Sequence, residues 1–421
     1  MSTQSNTSSR YLTHELVIQI LLRLPTASSL ARFRCVSKSW RSLLSDPEFI
    51  RNFLFHHSSK GGNHLRIMIK RLCYDRSVYS LHRFDTLRHI STAAVEEEEE
   101  FPTVPYKVRW PNGSSQLDIV GHANGIFCIA DGNSDGASDI ILWNPETSET
   151  RVVPVSPFAH MSGFVVWGQQ EQIGFGFDSE SNDYKVVRTL QFTQGGNDND
   201  DDDDDGDGDD GDGNYSQDEE DEVEEDESSL ELSEVFSLRH GSWRKLEVGF
   251  TPGLLYSIPE CHEGRFYWWD EGPDGCSTFV SFDIRSEVFE TVEVANPVGM
   301  SSDFSIRSVS MVKGSVVAVF SDMETVDEPN SLEVWALLNF AGEGWIKLYS
   351  IASTLLMNCV HPVGIWRNGR CFLQRYEDGE LIVFDPEIGS IVTTDVQLQG
   401  EWQFFQIVPY APSRISLSEL A

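Results

Sequence analysis

Ile141-Leu142-Trp143-Asn144-Pro145-Glu146-Thr147 is one copy of a pattern that returns as Val383-Phe384-Asp385-Pro386-Glu387-Ile388. In each copy an apolar, β-branched or aromatic triplet runs into an Asx-Pro step and an acidic residue. Proline presets φ and the Asx side chain caps the turn, so each copy reads as a strand entering a tight turn. Weaker copies are Val280-Ser281-Phe282-Asp283-Ile284-Arg285, Glu234-Val235-Phe236-Ser237-Leu238 and Glu333-Val334-Trp335-Ala336-Leu337. The central aromatics stand at 143, 236, 282, 335 and 384, and the last three intervals are 46, 53 and 49 residues. The first interval, 93 residues, falls to 59 once a 34-residue acidic insert is removed. A period near 50 with several short strands per repeat predicts propeller blades. Five blades are clear. A sixth is expected from partial strands at 65–72, 78–84 and 402–408, which pair the two ends, close the ring and hide its edges.

Working outward, the texture on either side of these copies is the same. Short runs of Val, Ile, Phe, Trp and Tyr are separated by Gly, Asn, Asp and Pro, which is strand punctuation. Trp143, Phe177, Trp243, Phe282, Trp335, Trp345 and Phe384 are spaced to fill the gaps between blades, so they read as core. Candidate contact residues for a target lie in loops outside the repeat: 158–167, Trp268-Trp269-Asp270 and 322–328. The tryptophan pair is the most pointed, because adjacent strand residues face opposite sides and one ring is expected to be exposed.

The first 60 residues have a different texture. Residues 12–24 read LTHELVIQILLRL and are ended by Pro25. Leu12, Leu16 and Ile20 form one i, i+4 row, and Val17, Leu21 and Leu24 form another, with Ile18 and Leu22 widening the apolar arc. A second helix is predicted over 28–36. A third, opened by Ser37, carries Trp40, Leu43 and Leu44 and stops near Asp46-Pro47. Three helices in under about 45 residues bury too little to stand comfortably alone, so a companion surface is expected. That companion is either the C-terminal body or a separate protein. Arg32, Arg34, Lys38 and Arg41 lack any recognition helix or aromatic platform and read as a solvated face, not a nucleic-acid site.

The segment LxxELVIQILLRLP followed by SLARFRCVSKSWRSLLSDPEF resembles the F-box, the motif that docks onto the Skp-type adaptor of SCF ubiquitin ligases. Matching positions are Leu12, Glu15, Leu16, Ile20, Leu21, Leu24, Pro25, Leu30, Phe33, Arg34, Val36, Lys38, Trp40, Arg41, Asp46, Pro47 and Phe49. The family often has Leu-Pro where this chain has Leu12-Thr13, a departure that bears on adaptor affinity. The resemblance implies that Leu12, Leu16, Ile20, Leu24, Pro25, Leu30, Val36 and Trp40 divide between the small core and the adaptor interface. The runs GHANGIFCI, ILWNPETSETRVVP, IGFGFDSESNDYKVVRT, EVFSLRHGSWRKL, FVSFDIRSEVFETV, EVWALLNFAGEGWIKL and LIVFDPEIGSIV resemble the plant F-box-associated, kelch-like interaction domain. Within that family the chain is also similar to the S-locus F-box group, whose pollen members recognise basic ribonucleases.

The implied layout is multidomain. A polar tail at 1–9, expected to be disordered, precedes a small all-α F-box at 10–55. An all-β propeller of about six blades fills 64–410, and a C-terminal tail occupies 411–421. The implied function is substrate recognition for a cullin-type ubiquitin ligase. The F-box would hold the adaptor, and through it the cullin and RING subunit, while the propeller holds the protein to be ubiquitinated. The alternatives are a propeller scaffold acting outside the ligase and, more remotely, an enzyme.

Charge is unevenly placed. Residues 194–227 hold 20 of the acidic residues and no Lys or Arg, and 96–100 hold five more, leaving roughly −11 of the net −36 for the rest. The insert is nearly pure Asp, Glu and Gly, builds no core and is expected to be disordered. It reads either as a tolerated solubilising expansion or as an electrostatic lure for a basic target. Asp201, Asp203, Asp205, Gly206, Asp207, Asp209 and Asp212 fall on calcium-loop positions. The twelfth position is Asp where a bidentate Glu belongs, and no helices flank it, so no metal is expected.

No G-x-S-x-G, phosphate-cradling glycine loop or H-E-x-x-H occurs, and His56-His57 have no companion ligands at metal-site spacing. The glycines of Gly174-Phe175-Gly176-Phe177 sit in a predicted strand followed by no helix, which disfavours a dinucleotide site. No cofactor and no catalytic residue is expected. Seven scattered cysteines without a C-x-x-C pair point to a reducing compartment, cytoplasmic or nuclear. No stretch approaches the roughly 18–20 apolar residues of a membrane span, and the first ten residues lack the apolar run of a signal peptide.

Overall fold

Asx side chains set the geometry of the body. Asn144, Asp178, Asp283 and Asp385 each end a strand and accept, through Oδ1, the N–H two residues on, at 2.9–3.0 Å. The four-residue turns that follow end on a left-handed residue, Ser148, Asn182, Glu287 or Gly389, and the turn at 238–241 ends likewise on Gly241. A backbone bond from Glu287 to Asp283, from Gly389 to Asp385 and from Gly241 to Ser237 closes three of these turns.

The computed structural model describes most of residues 13–55, 66–83, 117–194, 230–247, 260–397 and 406–420, with short breaks inside those spans. The tail at 1–9, the acidic run 96–100, His56-His57 and nearly all of the acidic insert lie outside the described residues. Gln194, which the sequence reading placed in the insert, is the last residue of a strand.

Five four-stranded antiparallel sheets follow one another in chain order. The first contains β3 (Leu117–Ala123), β4 (Ile126–Asp131), β5 (Ile140–Asn144) and β6 (Glu149–Val152). The second has β7 (Phe164–Asp178), β8 (Asp183–Gln194), β9 (Leu230–Ser237) and β10 (Ser242–Lys245). β11 (Glu260–His262), β12 (Arg265–Glu271), β13 (Ser277–Asp283) and β14 (Val288–Val294) make the third. The fourth is β15 (Phe304–Val312), β16 (Ser315–Asp322), β17 (Ser331–Leu337) and β18 (Trp345–Ala352). The fifth is β19 (Val360–Ile365), β20 (Cys371–Arg375), β21 (Glu380–Asp385) and β22 (Ser390–Gln397). All five copies of the repeated pattern form the third strand of their sheet.

The ends close the ring. β1 (Arg66–Cys73) pairs with β2 (Arg76–Arg83) on one side and antiparallel with β23 (Gln406–Tyr410) on the other, in a three-stranded sixth sheet. First strands of successive sheets lie side by side, and the ring continues through β23 and from β2 back to β3. Tight approach between sheets uses Gly174 in β7, where a Cβ would come 3.0 Å from Val187 and 3.1 Å from the Trp268 ring. Trp143, Phe282 and Phe384 are buried, as the spacing predicts, while Trp335 and Trp345 are partly buried.

Residues 411–420 form a packed strap. Asn144 donates to the carbonyls of Ser413 (3.0 Å) and Ile415 (2.7 Å), and Glu149 accepts from Ser416 Oγ and Leu417 N. Leu417 is buried in the core of the first two sheets.

In the head, α1 (His14–Leu21) is capped by Thr13, whose hydroxyl accepts from Leu16 N. Thr13 therefore supplies a helix start where the family pattern uses proline. Ser37 caps α2 (Lys38–Leu43) in the same way. The helix expected at 28–36 lies mostly outside the described residues, within which Arg32 and Phe33 are helical. The helix opened by Ser37 stops short of Asp46-Pro47 as expected, and Pro47 then opens a further helix, α3 (Pro47–Phe55), that the sequence reading did not foresee, with Asp46 accepting from Glu48 N. Proline tolerates the first helical position because its missing N–H would be unbonded there anyway.

Candidate adaptor and target surfaces

The two apolar rows of α1 meet different fates. Val17 and Leu21, with Leu22, are buried in one cluster with Phe49, Ile50 and Phe53 of α3 and with Leu348 and Ile351 of β18. Leu24 and Trp40 pack partly against the same cluster, and Phe33 lies 5.6 Å from Trp40, ring to ring. Leu16 and Ile20 remain 52% and 49% exposed, and Val36 60%. Of the eight residues expected to divide between core and interface, Leu24 and Trp40 face the core, and Leu16, Ile20 and Val36 face outward. Leu12, Pro25 and Leu30 lie outside the described residues. Both companions foreseen for the head therefore have a surface: the body covers one row, and the other stays bare.

The target candidates fare differently. Trp268 is a correction: it is 1% exposed, packed with Val187, Phe266, Val280 and Phe282 inside the third sheet's seam. Gly174 lets β7 approach its ring so closely that no outside partner can reach it. Trp269 and Asp270 belong to β12, but their side chains lie outside the described residues. Phe158 is partly buried, with the Lys245 ammonium 5.0 Å from its ring centroid.

Topology sorts the connections by face. In each sheet the strands alternate in direction, so turns from first to second and third to fourth strand open on one side of the ring. Links from second to third strand, and from each sheet to the next, open on the other. The turn side has connections of two to seven residues carrying five Lys or Arg and six Glu. Leaving aside 84–116, which returns from β2 to β3 and holds Arg88, Lys107 and Arg109, the link side has eleven connections, including 132–139, 153–163, 195–229 and 323–330, whose sequence holds 32 Asp or Glu and no Lys or Arg. All three target candidates and the acidic insert belong to strand ends on this link side.

One buried ionic group underlies the link side, where the first and second sheets meet. Arg188 of β8 bonds Glu234 of β9 through Nε at 2.8 Å and through a second guanidinium nitrogen, and reaches Glu171 at 3.4 Å. Ser156 Oγ donates to Glu234, Ser138 N to Glu171 (2.9 Å), and Trp243 Nε1 to Pro154 O. Burial pushes the Glu171 carboxyl up, with Arg188 and Ser138 pulling the other way. Burial, then Asp131, also raises Asp139, against Arg188. The group ties links 132–139 and 153–163 to the second sheet, a structural role rather than an open site.

On the turn side, Lys185 bonds Asp178 (3.0 Å) and Glu287 (3.1 Å) across the seam between second and third sheets. Burial alone would raise Asp178, but Ser181, Lys185 and Glu180 N–H outweigh it and hold the carboxyl at about 2. Among the described residues no group of three or more His, Cys, Asp and Glu is placed to hold a metal ion. No helix among them is long and apolar enough to cross a membrane. Cys35 is exposed, Cys128 and Cys371 are buried and unpaired, and burial pushes the Cys371 thiol up to about 12.

A helical head with one bare apolar row, fixed to a closed ring of antiparallel blades, defines an F-box protein of the propeller class. The F-box domain description matches residues 11–52, and the F-box associated beta propeller domain matches 71–416. The chain belongs to that F-box-associated propeller family. F-box protein At3g07870 of Arabidopsis thaliana is 25% identical over 423 residues, covering 95% of this chain and 90% of that protein. F-box protein CPR1 of the same plant is 25% identical, over 91% of this chain and 84% of its own length. An F-box/LRR-repeat/kelch-repeat protein of that plant, At1g09650, is 26% identical over 97% of both chains. An F-box implies, in general, docking to a Skp-type adaptor.

Proposed function

We propose that this chain is the substrate-recognition subunit of an SCF-type cullin ubiquitin ligase. Its head takes the Skp-type adaptor, and through it the cullin and RING subunit, on the exposed side chains Leu16, Ile20 and Val36. The observation that carries this is the bare row of α1: Leu16 and Ile20 are exposed, as is Val36 ahead of α2, while Val17 and Leu21 of the neighbouring row are buried. Exposed apolar surface of that kind on a small unit is covered by a partner. The propeller holds a protein target on its link side, and the acid excess there favours a basic one. No residue of the chain does bond chemistry in this scheme. The gain is effective concentration, because tethering turns ubiquitin transfer into an encounter within one assembly. The single buried cysteines suit a reducing compartment, cytosol or nucleus.

The test is co-purification of the adaptor with the full chain. Leu16→Asp and Ile20→Asp each abolish it while changing stability by about 0.5 kcal/mol or less, since both side chains are exposed. Retained adaptor binding in a folded double variant defeats the reading. Leu24→Asp is a poorer probe, because Leu24 also packs on the core.

A further inference from the structure

The head ends with α3 at Phe55, and β1 of the sixth sheet starts at Arg66. Among the described residues the head's main packing is elsewhere. Its last helix, α3, packs on β18, the outer strand of the fourth sheet, so the fifth sheet lies between the docking site and the point of attachment. The contact is apolar on both sides: Phe49, Ile50 and Phe53 of α3 and Leu348 and Ile351 of β18 are buried in one cluster. That cluster runs on through Val317, Val334 and Ala336 of the fourth sheet to Leu373 and Phe384 of the fifth. The connection 56–65 spans at most about 35 Å, a reach that by itself fixes neither the orientation of the head nor the blade it meets.

We infer that the α3–β18 contact, and not the connecting segment, sets the direction in which the Leu16–Ile20 row points relative to the link side of the propeller. This rests on the proposed ligase role for its purpose, though the docking itself does not. Val17 and Leu21 of α1 belong to the same cluster as α3, so the contact that holds α3 also orients α1. The bare row then faces a fixed direction from the ring. A tethered reaction rewards such rigidity, because the effective concentration of a target lysine at the charged conjugating enzyme falls as the connection loosens. Phe49, Ile50, Phe53, Leu348 and Ile351 are positioning residues in this scheme.

The experiment measures a distance and a rate on the full chain bound to its adaptor. One label sits on Ser42→Cys, exposed on α2 of the head, and one on Ser286→Cys, in an exposed turn of the third sheet, with other reactive cysteines, Cys35 among them, replaced by serine. The expected result is a single narrow distance distribution that is unchanged when ten Gly/Ser residues are inserted within 56–65. Ile351→Asp broadens it, leaves adaptor and target capture intact, and lowers ubiquitin transfer about tenfold. Leu348→Ala with Ile351→Ala serves where the Asp variant does not fold. A distribution that broadens on lengthening the connection overturns the inference, as does one that stays narrow in the docking variants. Failure of the unmodified chain to bind an adaptor defeats the ligase role instead, and the distance measurement on the chain alone still decides the docking.

Discussion

The two sides of the propeller ring are built from the same strands yet differ in nearly every other respect. Turns on one side are short, pinned by Asn144, Asp178, Asp283 and Asp385, nearly balanced in charge and crossed by the strap 411–420. Links on the other side are mostly longer and, 84–116 apart, their sequence holds acidic residues with no Lys or Arg. A surface under selection for stability alone has no reason to exclude one sign of charge, because unlike charges interspersed reduce self-repulsion. The comparison teaches that the turn side is held by repeated local bonds, while on the link side the bonds gather in one buried group around Arg188.

Substitutions can break this contrast in a graded order. Ending the chain after Tyr410 removes the strap, exposes the core around Leu417 and costs several kcal/mol, read as a lowered midpoint in urea. Asn144→Ala keeps the strap but loses its two bonds to strap carbonyls and the turn bond to Glu146 N, a cost of about 2–3 kcal/mol in the same assay.

Asp178→Asn gives the pH signature of the turn side. The folded carboxyl sits at about 2, below its ordinary value of 3.8, so it contributes stability fully above that value. The contribution is lost as pH falls from about 4 through 2. The variant is therefore less stable by about 1–3 kcal/mol at pH 7, and the gap closes in that acid window. A pH-independent gap would remove the charge from the explanation.

Deleting 195–229 is expected to be the mildest for stability and the most telling for function. Joining Gln194 to Leu230 by a short Gly/Ser turn shifts stability by about 0.5 kcal/mol or less, because long connections add little closure entropy. Capture of a basic target then slows at low salt and is unchanged at high salt, where charges are screened. Equal rates at both salt concentrations reduce the insert to a solubilising expansion and erase the functional half of the contrast.

Much of this architecture is legible in the chain because its causes are local. Apolar triplets followed by Asx and a tight turn mark the third strand of the first, third and fifth sheets, weaker apolar copies mark it in the second and fourth, and the closing strands at both ends carry their own alternation. Legibility failed where one residue type has two local meanings. Pro47 reads as a stop after α2 and is the first residue of α3, since proline ends one helix and opens another equally well. Trp268 reads as exposed because period-two alternation puts one of two adjacent rings outside a lone sheet. In a propeller both faces of a blade meet a neighbour, and Trp268 is the ring that does so here. The strap carries no strand or helix pattern, and its contacts reach residues more than 260 positions away.

By itself the sequence determined that a helical head precedes a ring of blades, where the repeats fall and that the acid is concentrated, because period, turn chemistry and composition are properties of short segments. Only the tertiary structure decided which row of α1 is covered, that α3 rests on β18, and that the strand ends flanking the acidic connections share one side. Those outcomes follow from ring closure and from apolar surfaces meeting across hundreds of residues, which no short window of sequence contains.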